Sequence, residues 1–88
     1  MATFQAQFDT ALERVLAVVT EAGGDATHIG KMTVYVTSMA AYTDSRPALA
    51  GAWTRRMGAH YPAMAIVEVS RLLHPDAVVE IDATAVLP

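Results

Sequence analysis

The sequence predicts a domain of the α+β class, in which two helices lie on one face of a small mixed sheet. Apolar residues recur at helical spacing over residues 2–22 and 44–57. Three further runs, residues 31–38, 63–71 and 79–85, alternate between apolar and polar side chains, which is the period of a half-buried strand. The resulting α-β-α-β-β order predicts a layer of helices packed against a layer of sheet.

The first helix is predicted from a single apolar stripe. Thr3 is a favourable N-terminal cap, because its hydroxyl can accept a hydrogen bond from an amide of the first turn. Gly23 and Gly24 end the helix, since glycine readily adopts the left-handed conformation that terminates many helices. The side chains that share one helix face are Phe4, Phe8, Leu12, Val15, Leu16 and Val19.

The second helix is predicted to follow a strand and a turn. The strand, residues 31–38, turns an apolar face inward, and residues 39–43 are interpreted as the turn. Asp44 or Ser45 is the predicted cap, and Pro47 falls in the first helical turn, where its missing N–H is harmless. The strand is predicted to bury Met32, Val34 and Val36. The helix is predicted to bury Leu49, Ala52, Trp53 and Met57 and to end at Gly58.

The last two strands are predicted to pair as an antiparallel hairpin around the turn at residues 74–76, His-Pro-Asp. Such a hairpin places Glu68 near Asp82, with Glu80 one step away, so three carboxylates share a sheet face. Clustered carboxylates suit acid–base chemistry because they raise one another's pKa. The alternative interpretation is a face that is solvated or paired with cations across an interface. No metal is predicted, because nothing in the sequence fixes a coordination geometry.

Composition excludes several classes of function. With 88 residues the chain forms one domain, residues 1–88. The net charge is −3 and the cations are scattered, which argues against nucleic-acid binding. There is no cysteine, and the histidines, His28, His60 and His74, have no ligand spacing. No run approaches the roughly 18 apolar residues of a membrane span, and no signal peptide is visible, so we expect a cytoplasmic protein. The 53% hydrophobic content predicts a homo-oligomer.

Two stretches carry a resemblance to a known family. YPAMAIVEVSRL, followed by VVEIDATAVLP, resembles the C-terminal signature of the RidA family, also called YjgF or endoribonuclease L-PSP. Upstream, FDTALERVLAVVTEAGGDATHIGKMTVYVTSMAAY resembles the family's first helix, its AGG turn and its next strand. The resemblance implies a chorismate-mutase-like fold that assembles as a trimer. It also implies additional N-terminal strands, so we favour an N-terminally truncated sequence over a shortened paralogue.

The resemblance further implies a function and a site. Active RidA proteins hydrolyse reactive enamines and imines to a ketoacid and ammonia, in a cleft between subunits and without a cofactor. Their arginine, which grips the substrate carboxylate, follows a Pro-Ala pair, whereas here Pro62-Ala63 precede Met64. Their water-orienting glutamate matches Glu80. We therefore predict a small-metabolite-binding protein with at most slow imine deaminase activity, in which Glu80 is catalytic and Tyr61, Met64 and Ile66 bind substrate. The alternative is a non-catalytic assembly or regulatory module that meets a basic partner.

Overall fold

The computed structural model describes residues 3–88 and confirms the α+β class. Both helices pack on one face of a three-stranded mixed sheet, and a short 3₁₀ turn at Ala26–His28 leads into the first strand. In chain order the elements are helix α1 (Phe4–Glu21), strand β1 (Ile29–Val36), helix α2 (Met39–Met57), strand β2 (Ala63–Glu68) and strand β3 (Val79–Ala85).

Helix α1 follows the sequence prediction closely. The Thr3 hydroxyl accepts a hydrogen bond from the Ala6 amide at 3.2 Å, so the predicted cap forms. Gly23 ends the helix with φ of +97°, a conformation that a side chain would strain. Its stripe packs into the core with Phe8, Leu12 and Val19 buried. The predicted start at Ala2 lies outside the described residues.

Helix α2 begins five residues before the predicted Asp44, because two acceptors satisfy its first amides. The Ser38 hydroxyl accepts from the Ala41 amide at 3.1 Å, and Glu68 Oε1 accepts from the Met39 amide at 2.7 Å. The predicted turn at residues 39–43 is therefore helical. These two contacts allow the helix to start upstream of Asp44. The local cap there is a single serine, which is a weak signal when the sequence is considered alone.

Two consequences follow for α2. Asp44 and Ser45 are not caps, and Pro47 lies inside the helix rather than in its first turn, so the helix lacks one backbone hydrogen bond there. The predicted end is correct, since Gly58 terminates the helix with φ of +63°. The predicted buried stripe is also correct, with Leu49, Ala52, Trp53 and Met57 all buried.

The predicted hairpin is wrong, because β1 lies between β2 and β3. Strand β1 pairs parallel with β2 and antiparallel with β3. The connection between β2 and β3, residues 69–78, is longer than the roughly two to five residues that join most hairpins. Strand β1 is central because it has the most buried apolar side chains. Those at most 1% exposed are Ile29, Met32, Val34 and Val36.

The strand order also separates the three predicted carboxylates. Residues paired across neighbouring strands share a sheet face. Glu68 is opposite the buried Val36, so it lies on the helix-covered face. Glu80 is opposite Tyr35, and Asp82 is two residues further along β3, so both lie on the other face. The cluster of three carboxylates does not form, and Glu68 instead serves the N-terminus of α2.

The core joins both helices to β1, and a set of ion pairs links the helices to each other. Leu12 of α1 is fully buried among the β1 side chains. On the surface, Arg56 of α2 donates two hydrogen bonds to Asp9 of α1, at 2.7 and 3.0 Å, and reaches Glu13 at 3.4 Å. This bidentate contact sets how α1 and α2 lie against each other, and thus the space between them.

Candidate functional site

A cavity of about 280 Å³ opens between the two helices and the start of β2. Its volume is near the lower limit of small-molecule pockets, which run from roughly 300 to 1,000 Å³. Helix α2 supplies most of the wall: Tyr42, Arg46, Leu49, Ala50 and Trp53. Phe8 of α1, together with Tyr61 and Met64, completes it. We refer to this space as the aromatic cavity.

One side of the aromatic cavity is a fixed, flat aromatic surface. The Trp53 ring is buried, and its indole N–H donates to the His60 carbonyl oxygen at 3.1 Å. Tyr61 stacks on Trp53 with ring centroids 5.6 Å apart and planes 13° apart, although Tyr61 itself is 72% exposed. His60 Nε2 lies 2.6 Å from the Ile29 carbonyl oxygen, which ties this segment to β1. The Trp53 ring is thus held by a backbone contact, and the neighbouring His60 is held against β1.

The opposite side is built from aromatic contacts between the helices. Phe4 stacks on Phe8 with centroids 6.5 Å apart and meets Tyr42 edge-on at 6.3 Å. Phe8 and Tyr42 in turn line the cavity. Aromatic side chains therefore form about half of the lining of a small, open space, an arrangement suited to a ligand with an apolar part.

Among the described residues that line the cavity, Arg46 alone carries a charge, and it was not among the predicted site residues. Within residues 3–88 its guanidinium makes no ion pair with a carboxylate. The sequence held a usable signal, because Arg46 precedes the buried Leu49 by three residues and Trp53 by seven, which puts all three on one helix face. The predicted helix at residues 44–57 already contained this spacing, but the charge beside the apolar stripe was not interpreted as part of a site.

The structure brings together two of the four predicted site residues. Tyr61 and Met64 both line the aromatic cavity. Ile66 shares the sheet face of Met64 but packs against the core without lining the cavity. Glu80 lies on the other face, beside a separate depression of about 370 Å³ between α1 and β3 that also contacts Arg14. Within one chain, Glu80 therefore does not face Met64.

A further depression, of about 490 Å³, lies between α1 and the connection that leads into β3. Gln7 crosses it, donating to the Asp76 carbonyl oxygen at 3.0 Å and accepting from the Val78 amide at 2.9 Å. Its polar groups thus hold the connection against α1. We assign this depression a structural role, because the side chain best placed to bind a ligand is already occupied by backbone.

The carboxyls with shifted pKa values lie away from the aromatic cavity wall. Hydrogen bonds from Arg56 lower the pKa of Asp9. The pKa of Asp25 is lowered by the hydroxyl and amide of Thr27, in the turn before β1. Both shifts stabilise the ionised form in a structural contact. Neither carboxyl is thereby prepared for proton transfer.

None of the helices within residues 3–88 is both long and apolar enough to cross a membrane. In the same part of the chain, no group of three or more histidine, aspartate or glutamate side chains is placed to hold a metal ion.

Comparison with known proteins places the chain in a family. Residues 1–87 match the family model described as endoribonuclease L-PSP. Among solved structures, YjgF from E. coli is 32% identical, with a TM-score of 0.85 over 98% of this chain and 66% of that one. E. coli TdcF, solved with bound serine, is also 32% identical, with a TM-score of 0.86 over 100% of this chain and 68% of that one.

A third structure is more distant. Rv2704 from Mycobacterium tuberculosis, a member of the YjgF/YER057c/UK114 family, is 28% identical, with a TM-score of 0.75 over 90% of this chain and 64% of that one. The chain thus spans about two thirds of the length of these solved proteins. None of the curated protein sequences matches it significantly. The match along nearly the whole chain and the shared fold show that the chain belongs to the endoribonuclease L-PSP family, which includes the YjgF and RidA proteins.

Proposed function

We propose that this protein binds a small polar metabolite in the aromatic cavity. The observation that carries the proposal is the fixed pocket of about 280 Å³, with one cation in an otherwise aromatic and apolar wall. Small-molecule sites combine an apolar lining with a few polar groups that orient the ligand. The relative TdcF, which holds serine, supports a ligand of amino-acid size.

The test uses Trp53, the one tryptophan in the chain, whose indole N–H gives a single NMR signal. Titration with L-serine and with pyruvate is expected to move this signal saturably. Ala50 lines the cavity and Ala48 is exposed on the same helix outside it. Ala50→Phe should abolish the response and Ala48→Phe should leave it intact. No response to either ligand at millimolar concentration, or equal responses in both variants, would contradict the proposal.

We propose further that the functional unit is a homo-oligomer, a trimer by family analogy. Met64 and Glu80 lie on opposite faces of the sheet, so a site that uses both needs a second chain. The sheet face that carries Tyr35, Ala65 and Val67 has no helix over it, and Val67 is 39% exposed. Light scattering should give a mass near three times 9.4 kDa. A monomeric mass at micromolar concentration would refute the shared site.

If the protein also acts on its bound ligand, we propose that the reaction is slow imine deamination. In that reaction Glu80 of one subunit orients water toward a ligand bound in the aromatic cavity of another. Support comes from the family and from the position of Glu80 on the uncovered face, where a second chain can approach it. Glu80→Gln in the oligomer is expected to remove the residual ammonia release. Unchanged release in that variant would exclude Glu80 as the catalytic group.

A non-catalytic assembly module is the second candidate. Glu80 and Asp82 on the uncovered face lie beside apolar side chains, a pattern suited to a partner with basic groups at its rim. This candidate predicts an oligomer or complex in which the aromatic cavity stays empty. Trp53 would then respond to neither serine nor pyruvate, so the titration above separates the two candidates.

A further inference from the structure

The outer edge of β3 is an open strand edge. Strand β3 pairs with β1 on one side, and no further strand within residues 3–88 pairs with it on the other. The Thr37 amide donates to the Val78 carbonyl oxygen at 3.1 Å, which makes these two residues a hydrogen-bonded pair of the antiparallel ladder. Hydrogen-bonded and non-hydrogen-bonded pairs alternate along such a ladder. The N–H and C=O groups of Val79, Ile81 and Ala83 therefore point away from β1.

Helix α1 overhangs this edge with an apolar surface. The helix packs on β3, and the depression of about 370 Å³ between them has no lining residue from β1 among those described, so it opens at the outer edge. A helix about 10 Å wide above an edge strand projects about 5 Å beyond it, which is the spacing of one further strand. The helix lines the depression with Ala11, Val15 and Val18, and Val18 is 71% exposed. The space beneath α1 thus has the width of a single strand.

A second copy of the chain does not fit this edge. Antiparallel pairing of β3 with β3 puts both α1 helices on the same face of the joined sheet. Their axes would then be about 5 Å apart, whereas packed helices need about 8–10 Å. Parallel pairing would put the two helices on opposite faces. It would also bury Glu80 and Asp82 of one copy beneath the apolar side of the other copy's α1, which is costly for charged groups.

We propose that the β3 edge binds a single extended segment of a partner protein, added antiparallel to β3 as a fourth strand beneath α1. On the helix-covered side the segment meets Val15, Val18 and Ile81, so it needs apolar side chains at alternate positions. On the other side it lies beside Glu80 and Asp82, which are exposed, and cross-strand pairs of opposite charge stabilise a sheet. The partner segment therefore alternates apolar and basic residues. This inference is independent of the aromatic cavity.

The probe is a peptide of seven residues, the length of β3, in which lysine alternates with valine and both ends are blocked. Its titration should shift the backbone amide NMR signals of Val79, Ile81 and Ala83 saturably and slow their hydrogen exchange. The Trp53 indole signal should stay unchanged, so the outcome is separate from that of the serine titration. The same peptide with glutamate in place of lysine should bind about fivefold more weakly.

Two controls test the backbone contact. In antiparallel pairing the valine N–H groups face β3, so methylating the valine nitrogens should abolish binding, and methylating the lysine nitrogens should not. Ala83→Pro removes an outward amide from β3 and should prevent binding, whereas Ala83→Val keeps the amide and should not. The methylated peptides need no protein variant to fold.

Three results would overturn the proposal. Strand addition is refuted if the peptide with methylated valines binds as well as the original. It is also refuted if millimolar peptide leaves the signals of Val79, Ile81 and Ala83 unmoved. Equal binding of the lysine and glutamate peptides would refute the basic partner.

Discussion

The two faces of the sheet differ in what their side chains do. On the helix-covered face, Met32 and Val34 of β1 are at most 1% exposed, and the aromatic cavity lies at the margin of that face. On the other face, Val67 is 39% exposed and Glu80 and Asp82 are exposed as well. The helix-covered face therefore contains the core that stabilises the fold, and the pocket forms at its margin. The uncovered face is free to meet another chain.

The largest expected effect is a loss of stability. It is tested by replacing two neighbouring residues of β1, one on each face of the sheet, with alanine. Met32→Ala empties space in the core of the covered face and should lower the free energy of unfolding by about 2–5 kcal/mol. Thr33→Ala, on the other face, should change it by about 0.5 kcal/mol or less at a protein concentration low enough to keep the chain monomeric. Urea denaturation at one fixed protein concentration measures both. Equal losses would mean that the other face is also buried, as in a tight oligomer.

Met64→Arg tests the pocket at the margin of the covered face. An added guanidinium on β2 gives a carboxylate substrate a contact of about 1.5–3 kcal/mol. If that contact strengthens in the transition state, imine hydrolysis should rise by about one to two orders of magnitude. Ammonia release, with the imine generated by an amino-acid oxidase, is the assay. A folded variant with no gain would place the missing chemistry outside position 64.

Glu68 and Glu80 give the third comparison, since the two glutamates lie on opposite faces. Glu68 accepts a hydrogen bond from the first amide of α2, where a negative charge also complements the helix dipole. Glu68→Ala should therefore cost about 0.5–1 kcal/mol in the free energy of unfolding. Glu80→Ala is the control and should have no such effect. The reverse ranking would show that Glu80 supports the fold and Glu68 does not.

The smallest expected effect is on the pH dependence of stability. Arg56 lowers the pKa of Asp9 below its ordinary value of 3.8, so folding favours the ionised carboxylate. The stabilisation is present above pH 3.8 and is lost as the pH falls through the lower folded pKa. Asp9→Asn should flatten stability over that acid range, and Asp44→Asn, on the exposed part of α2, should not. If Asp9→Asn loses stability at acid pH in the same way as the wild type, the contact with Arg56 does not contribute to stability in solution.

Local patterns were sufficient to predict much of the covered face. The stripe of α1, the cap at Thr3 and the buried set of α2 each depend on residues within a few positions of one another. The inward alternation of β1 is equally local, because side chains in a strand alternate. These features were correct for that reason.

Of the features that depend on distant residues, the mixed sheet was predicted, whereas the strand order and the start of α2 were not. The order β2-β1-β3 reflects competition among all three strands for the central position, which no single strand pattern reveals. Helix α2 starts early because Glu68, 29 residues away, accepts a hydrogen bond from the Met39 amide. The family resemblance directed attention to Met64 and Glu80, but the guanidinium of Arg46, on a different element, lies outside what a family motif describes.

The most direct test of the whole account is a crystal structure of the protein with L-serine at saturating concentration. The account predicts serine in the aromatic cavity, with its carboxylate about 2.7–3.2 Å from the guanidinium nitrogens of Arg46 and its backbone beside Trp53. Serine bound only on the uncovered face near Glu80, or an aromatic cavity that remains empty at saturation, would contradict it.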